Sequence, residues 1–140
     1  MYENYTRQSL PSKEYRELLG TALCVFNSNN EFIIENIIRT DISFDWYELN
    51  NKTSGRLDDD ISNTITLQCG DDTIAKLFSE IVEMRNRIVH SFQITATNEE
   101  QILATKRPDN IQFIISEEYL MNFIKKNEEL SVLLHQYRGY

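Results

Sequence analysis

A guanidinium, an amide and an imidazole lie close together along the chain, at Arg85, Asn86 and His90. An arginine is always charged, and its planar fork matches two phosphate oxygens. A histidine can take up or release a proton near neutral pH. Cleavage of RNA through its own 2′-OH needs a base, an acid and a cation that stabilises charge on the phosphate. These residue types are therefore sufficient for that chemistry without a metal.

The segment from Asp71 to Phe92 predicts one helix that positions these side chains. Its apolar residues recur at helical spacing on one broad face, and they are Ile74, Leu77, Phe78, Ile81, Val82, Met84, Ile88, Val89 and Phe92. Arg85 lies near the middle of that face, where a cation is costly to bury unless it is paired or borders a cleft. His90 lies at the C-terminal end, where the helix dipole favours an imidazolium.

Arg85, Asn86 and His90 resemble the RxxxxH signature of the HEPN superfamily, in which a polar residue directly follows the arginine. The resemblance covers mainly residues 12–92. It implies a mainly α, HEPN-like helical bundle and a metal-independent endoribonuclease that uses no cofactor. Arg85, His90 and Asn86 would be the catalytic residues. The resemblance also implies a homodimer in a toxin or phage-defence setting, with RNA as substrate and an antitoxin or defence protein as a further partner.

The spacing of the motif raises a geometric difficulty. Five residues along a helix turn the side-chain direction by about 140°, so Arg85 and His90 do not share a face. The helix could distort or end near His90. Alternatively, two copies of the helix could pack across a two-fold axis, so that both chains contribute Arg85 and His90 to one cleft.

Each motif residue also has a structural interpretation. Arg85 could be paired with a buried carboxylate such as Glu17 or Glu35, and His90 could only cap the helix. Asn86 could orient phosphate or the histidine, or it could bond to the backbone. A non-catalytic, HEPN-like dimeric interaction module is therefore the alternative function.

Two neighbours of the motif carry further expectations. Arg87 is predicted to point to the solvent side beside Glu80 and Glu83, with at most a secondary role in RNA binding. In HEPN toxins that are silenced by nucleotidyltransferase antitoxins, a tyrosine follows the motif histidine by two residues. That position is Phe92 here, which has no hydroxyl to modify, so silencing by that route is not expected.

The composition excludes several classes of protein. The net charge of −8 argues against a broad basic surface for nucleic acid, and DNA is not an expected partner. Cys24 and Cys69 are too few for a disulfide framework or a zinc site, and Cys24 is predicted to be buried. No metal site, signal peptide or membrane partner is predicted, which favours a cytoplasmic protein.

The remaining pattern predicts one domain, residues 1–140, with an N-terminal arm at 1–11. A helix capped by Ser12 is expected to continue through the polar residues 27–30, because no Gly or Pro interrupts it. Residues 41–50 predict a short helix or an aromatic corner. The carboxylates at 58–60 favour a solvated helix face over a cation site. A small β-hairpin at 102–115 precedes a last helix capped by Ser116.

Overall fold

A computed structural model describes residues 2–139, so Met1 of the predicted arm lies outside the described residues. The helices are α1 (Lys13–Thr40), α2 (Trp46–Asn51), α3 (Asp58–Ile61), α4 (Leu67–Cys69), α5 (Thr73–Val89) and α6 (Glu117–Arg138). The strands are β1 (Phe92–Thr95), β2 (Gln101–Lys106) and β3 (Gln112–Ile115). A 3-10 turn (Ser54–Leu57) precedes α3, and a π-helical turn (Ser62–Thr66) joins α3 to α4. The molecule is mostly helical.

The three long helices form the body of the molecule, with α1 and α6 parallel to each other. The contacts between them follow one another in the same order along both helices. The Tyr15 hydroxyl donates to the carbonyl of Ile115, just before α6, over 2.6 Å. Further along, Asn29 bonds to Asn127, and the Arg138 guanidinium pairs with Glu35 near the far end. Helix α5 runs antiparallel to both.

The core lies where these three helices meet. Phe26 on α1 stacks on Phe78 of α5, with ring centroids 6.4 Å apart, and on Phe123 of α6, at 6.2 Å. Phe78 and Phe123 are fully buried. Apolar side chains at helical spacing therefore bury one stripe of each helix, which is the main source of stability in such bundles.

The β-structure is a three-stranded antiparallel sheet in the order β1-β2-β3, rather than the predicted hairpin alone. Phe92 pairs with Ala104, and Leu103 pairs with Ile115. The added strand β1 begins where the motif helix was expected to end, so the prediction that this helix reaches Phe92 was wrong. The four consecutive residues from Phe92 to Thr95 pair with β2, and this long-range pairing overrides the helical spacing.

Several local predictions are confirmed. Helix α1 is unbroken through residues 27–30, and Ser12 caps it by accepting from the Tyr15 N–H. Ser116 caps α6 in the same way, accepting from the Tyr119 N–H. Of the two interpretations left open for residues 41–50, the structure shows the short helix, which begins at Trp46.

Two predictions about burial outside the motif helix were wrong. Cys24 is exposed, because it lies about 200° around α1 from the buried Ala22, although its neighbours in sequence are apolar. Asp60 is buried and pairs with Lys52 at 2.7 Å, whereas Asp58 and Asp59 face solvent as expected. Within residues 2–139, no helix is both long enough and apolar enough to cross a membrane.

Candidate functional site

The C-terminal end of α5 carries His90. The helix ends at Val89, and the His90 backbone N–H closes the last turn by donating to the carbonyl of Asn86 over 3.0 Å. Ser91 adds a second closure, because its hydroxyl donates to the carbonyl of Ile88. The cap is thus made by the His90 backbone. The imidazole itself is exposed and makes no hydrogen bond within the described part of the chain.

Arg85 lies one and a half turns earlier, on the face that packs against α1. Its guanidinium carbon lies 5.0 Å from the centre of the Phe26 ring, which is cation–π contact distance. Its Nε is buried and has no hydrogen-bond partner among the described residues. Partial burial lowers the pKa of Arg85, because desolvation disfavours the charged form.

The structure does not support the buried-carboxylate interpretation of Arg85. Glu35 pairs instead with Arg138, and its side chain is half exposed. Glu17 is exposed and makes no ion pair within residues 2–139. The guanidinium of Arg85 therefore has an aromatic ring beneath it and no protein counter-ion in the described chain.

Asn86 lies between these two residues around the helix. Its backbone carbonyl accepts the His90 N–H, so it contributes to the helix end. Its side chain is half-buried and makes no hydrogen bond to the described backbone. The amide therefore remains available to a ligand or to a second protein chain.

Arg87 is buried, and the prediction that it points to solvent was wrong. It is 9% exposed, its Nε lies 3.2 Å from a carboxylate oxygen of Glu83, and its guanidinium donates to the carbonyl of Lys106. Strand β2 covers the side of α5 that a helical bundle alone would leave to water. Arg87 thus fastens the end of β2 to the last turns of α5, which makes it a structural residue.

Arg85 and His90 do not meet within one chain. Arg85 faces α1, while His90 follows the end of α5 on another side of the helix. The helix does end at this point, as one of the two predicted resolutions requires, but ending it leaves the imidazole in solvent. Within a single chain, the two side chains therefore lie apart.

Apolar side chains next to His90 are exposed. Val89 is 43% exposed and Phe92 is 45% exposed, although both were predicted to lie on the buried helix face. Phe92 shares the outer face of the sheet with Ile94, Ile102, Ala104 and Ile114, because alternate residues of paired strands point to the same side. Ile114, in the row beyond Ala104, is 50% exposed. Ala104 on this face is buried, so we call the exposed side chains Val89, Phe92 and Ile114 the outer apolar surface.

A further cation, which the sequence did not single out, belongs to this end of the molecule. The cation is Lys106, whose backbone carbonyl accepts from the guanidinium of Arg87, so the end of β2 lies against the last turns of α5. The sequence gives one sign of this, because residues 84–98 and 101–108 contain no Asp or Glu in a chain of net charge −8. The pairing of β1 with β2 is needed to bring the two segments together.

The comparisons with known proteins do not assign the chain to a family. No family model, no curated protein and no solved structure matches it. Within the described residues, no group of three or more His, Cys, Asp or Glu side chains could hold a metal ion. The arrangement at the end of α5 offers a fixed cation, an exposed imidazole and a half-buried amide, which are groups suited to an anionic ligand and to proton transfer.

Proposed function

We propose that the protein is a metal-independent endoribonuclease of HEPN type, acting in a toxin or phage-defence setting. The proposal rests on one observation about α5, which has two parts. Arg85 is half-buried with no carboxylate partner in the described chain, and His90 presents an uncommitted imidazole at the end of the same helix. A phosphate would supply the negative charge that Arg85 lacks.

The proposed reaction needs two copies of the chain. In a two-fold dimer built around the C-terminal ends of α5, His90 and Arg85 from both copies line one cleft. The exposed Val89 and Phe92 beside His90 supply apolar area for such a contact. Asn86 lies on the same stretch and orients either the phosphate or the imidazole.

Cleavage then follows the chemistry of RNA itself. One His90 imidazole takes the proton from a 2′-OH, and the 2′ oxygen attacks the adjacent phosphorus. Arg85 stabilises charge on the phosphate oxygens, and an imidazolium protonates the departing 5′ oxygen. The products end in a 2′,3′-cyclic phosphate and a 5′-OH. DNA, which lacks the nucleophile, is not a substrate.

The decisive experiment is RNA cleavage in the presence of EDTA. Wild-type protein is expected to cleave, and His90→Ala is expected to be slower by roughly two to four orders of magnitude, the usual contribution of general acid–base catalysis. His135→Ala is the matched control, because His135 is the other histidine and bonds to Ser131 on α6. Equal rates for wild type and His90→Ala would refute the proposal.

The outer apolar surface favours one second candidate, a dimeric interaction module without catalysis. Residues such as Phe92 and Ile114 expose about half of their area, which is common where another protein binds. A protein that dimerises and leaves RNA intact in EDTA would have this function instead.

A further inference from the structure

Two adjoining cavities lie where α1 packs on α6, near the middle of both helices. Their volumes are about 140 Å³ and about 290 Å³, and they share Ser28, Asn29 and Ser131 as lining residues. They therefore form one continuous groove, which runs along residues 25–35 of α1 and 124–135 of α6. We call it the seam groove.

Asn29 brings a buried polar side chain to this groove. Its Nδ2 donates to the backbone and side-chain oxygens of Asn127, at 2.7 and 3.0 Å. Its Oδ1 accepts no hydrogen bond from residues 2–139, although only 5% of the residue is exposed, and this atom is reached from the groove rather than enclosed by protein. An amide oxygen in such a place costs free energy unless a donor reaches it. The groove therefore contains an acceptor that needs a donor.

Two carboxylates lie close to this amide oxygen. Because Asn29 bonds to Asn127 and the helices run parallel, Glu31 and Glu128 lie two residues and one residue beyond that contact, within about 3 Å of it along the helix axes. Glu31 lines the larger cavity and Glu128 lines the smaller one. Both side chains are exposed, and neither pairs with a cation in the described part of the chain.

The charge of the seam groove is negative. No lysine or arginine among the described residues lines either cavity. Glu35, at the far end of the groove, is already paired with Arg138, so Glu31 and Glu128 are the carboxylates that remain uncompensated. The hydroxyl of Ser28 makes no hydrogen bond within residues 2–139 and adds a further acceptor. The groove therefore favours a ligand that is positively charged and donates hydrogen bonds.

The smaller cavity also has an apolar wall, formed by Val25 and Ile124. A primary alkylammonium group suits this combination, because it carries three N–H donors on a chain of methylene groups. A metal ion suits it less well. His135, the histidine that lines the groove, bonds to the carbonyl of Ser131, and no group of three or more His, Cys, Asp or Glu side chains within residues 2–139 could hold a metal.

We propose that the seam groove binds a primary alkylammonium group, as found in aliphatic polyamines and in the side chain of lysine. The ammonium donates one N–H to the Oδ1 of Asn29 and is attracted by Glu31 and Glu128, while its methylene groups contact the apolar wall. This site includes no residue that is proposed to cleave RNA, so it is a separate binding function.

An NMR titration of the isotope-labelled protein tests the site directly. The side-chain amide signal of Asn29 is expected to shift saturably with n-butylammonium and with spermidine. Tetramethylammonium carries the same single charge as n-butylammonium but has no N–H to donate, so it is expected to leave the signal in place. The side-chain amide of Asn122, which is exposed on α6, is the internal control.

Two conservative variants test the carboxylates. Glu31→Gln and Glu128→Gln are each expected to weaken the binding of n-butylammonium by up to about fivefold, the upper end for an exposed ion pair. Glu129→Gln is the matched control, because it removes an equally exposed carboxylate of α6 that does not line the groove, and it is expected to leave the affinity unchanged.

The outcomes separate a built site from the general attraction of cations to an acidic protein. Equal shifts with tetramethylammonium and n-butylammonium, or equal losses in Glu128→Gln and Glu129→Gln, overturn the proposal. The absence of a saturable shift with any amine also overturns it. Nα-acetyl-lysine methylamide distinguishes the sources of the group. Tighter binding of spermidine than of this compound supports a free polyamine as the ligand, and the reverse order supports a lysine of a partner protein.

Discussion

At Arg85, a guanidinium lies against a phenyl ring, and no carboxylate within residues 2–139 pairs with it. Part of the cost of desolvating this cation is offset by the ring of Phe26, and the lowered pKa of Arg85 reflects the cost that remains. A residue kept only for stability would be better replaced by an apolar one of similar size. The arrangement is more useful to a protein that binds an anion at this point.

The Arg85→Lys variant tests whether RNA cleavage needs the two-pronged guanidinium of Arg85 or only its positive charge. Arg85→Lys keeps the positive charge and the apolar stem but loses the two-pronged contact with phosphate. RNA cleavage is expected to fall, by less than the roughly 10²–10³-fold loss that follows complete removal of such a donor. Thermal unfolding of Arg85→Lys is expected to stay close to wild type. Arg39→Lys, an exposed change at the far end of α1, is the control.

Single residues also show where sequence reasoning succeeds. The helical spacing places Arg85 correctly on the packed face of α5. It fails for Arg87, because β2 comes from a part of the chain that no helical wheel includes. It fails for Val89 as well, because this residue lies at the end of the helix, where the packing partners do not cover it.

At the scale of elements, a buried amide pair sets the alignment of α1 on α6. Asn29 donates to the backbone and side-chain oxygens of Asn127, at 2.7 and 3.0 Å, and Asn127 donates to the carbonyl of Phe123. Both asparagines are at most 5% exposed. A shift of either helix by one turn would leave these groups unpaired, so the pair favours one alignment over its neighbours.

Breaking this pair should destabilise the fold. Asn29→Ala leaves the side-chain oxygen of Asn127 buried without its donor, and a loss of about 1–3 kcal/mol in the free energy of unfolding is expected. Urea denaturation measures the loss. Asn122→Ala, on the exposed side of α6, is the control and should change the midpoint little. Equal losses in the free energy of unfolding for the two variants would show that the buried pair contributes no more stability than an exposed asparagine.

The packing of α6 on α5 also predicts sensitivity to alkali. Burial, with a smaller effect of Glu83, raises the pKa of Tyr119 from 10.0 to about 12. The unfolded chain would lose the Tyr119 proton near pH 10, before the folded chain does. The stability that the raised pKa of Tyr119 contributes is therefore complete below pH 10 and is lost as the pH rises towards 12. Wild-type protein should therefore lose more stability between about pH 9 and 11 than Tyr119→Phe. Tyr47→Phe, at an exposed position, should behave like wild type.

The elements themselves were largely predictable from the sequence. Ser12 and Ser116 mark the starts of α1 and α6, and no Gly or Pro interrupts either helix interior except the tolerated Gly20. The strand β1 was not predicted, because Phe92 was assigned to the apolar face of α5 and only residues 94–97 have a β-prone sequence. Its pairing with β2 is a long-range contact, which local sequence does not reveal.

At the scale of the whole molecule, the two candidate functions share a requirement for self-association. A two-fold dimer would bury Val89 and Phe92 and would bring together the groups that one chain keeps apart. The motif and its geometry could be read from the sequence, but the exposed surface around them could not, since exposure depends on how β1 leaves α5.

Sedimentation tests the dimer directly. The protein is expected to sediment at twice the 16.5 kDa mass of one chain at tens of micromolar, an order-of-magnitude range for standard interfaces. Phe92→Asp should shift it to the monomer while leaving the helical circular dichroism signal unchanged. Val132→Asp, at an equally exposed apolar position on α6, should remain dimeric. A monomeric wild type would argue against a shared cleft.

The parallel arrangement of α1 and α6 has a consequence for how the chain folds. Hydrogen bonds from α1 to α6, and to Ile115 just before it, join residues separated by 98, 100 and 103 positions, at Asn29–Asn127, Tyr15–Ile115 and Glu35–Arg138. Neighbouring helices usually pair through local contacts and fold fast, whereas this pairing must close a loop of most of the domain. During synthesis, the part of the apolar stripe of α1 that packs on α6 would stay uncovered until α6 has left the ribosome. Folding should therefore be slower than is usual for a helical protein of this size, and the nascent chain should be a substrate for chaperones.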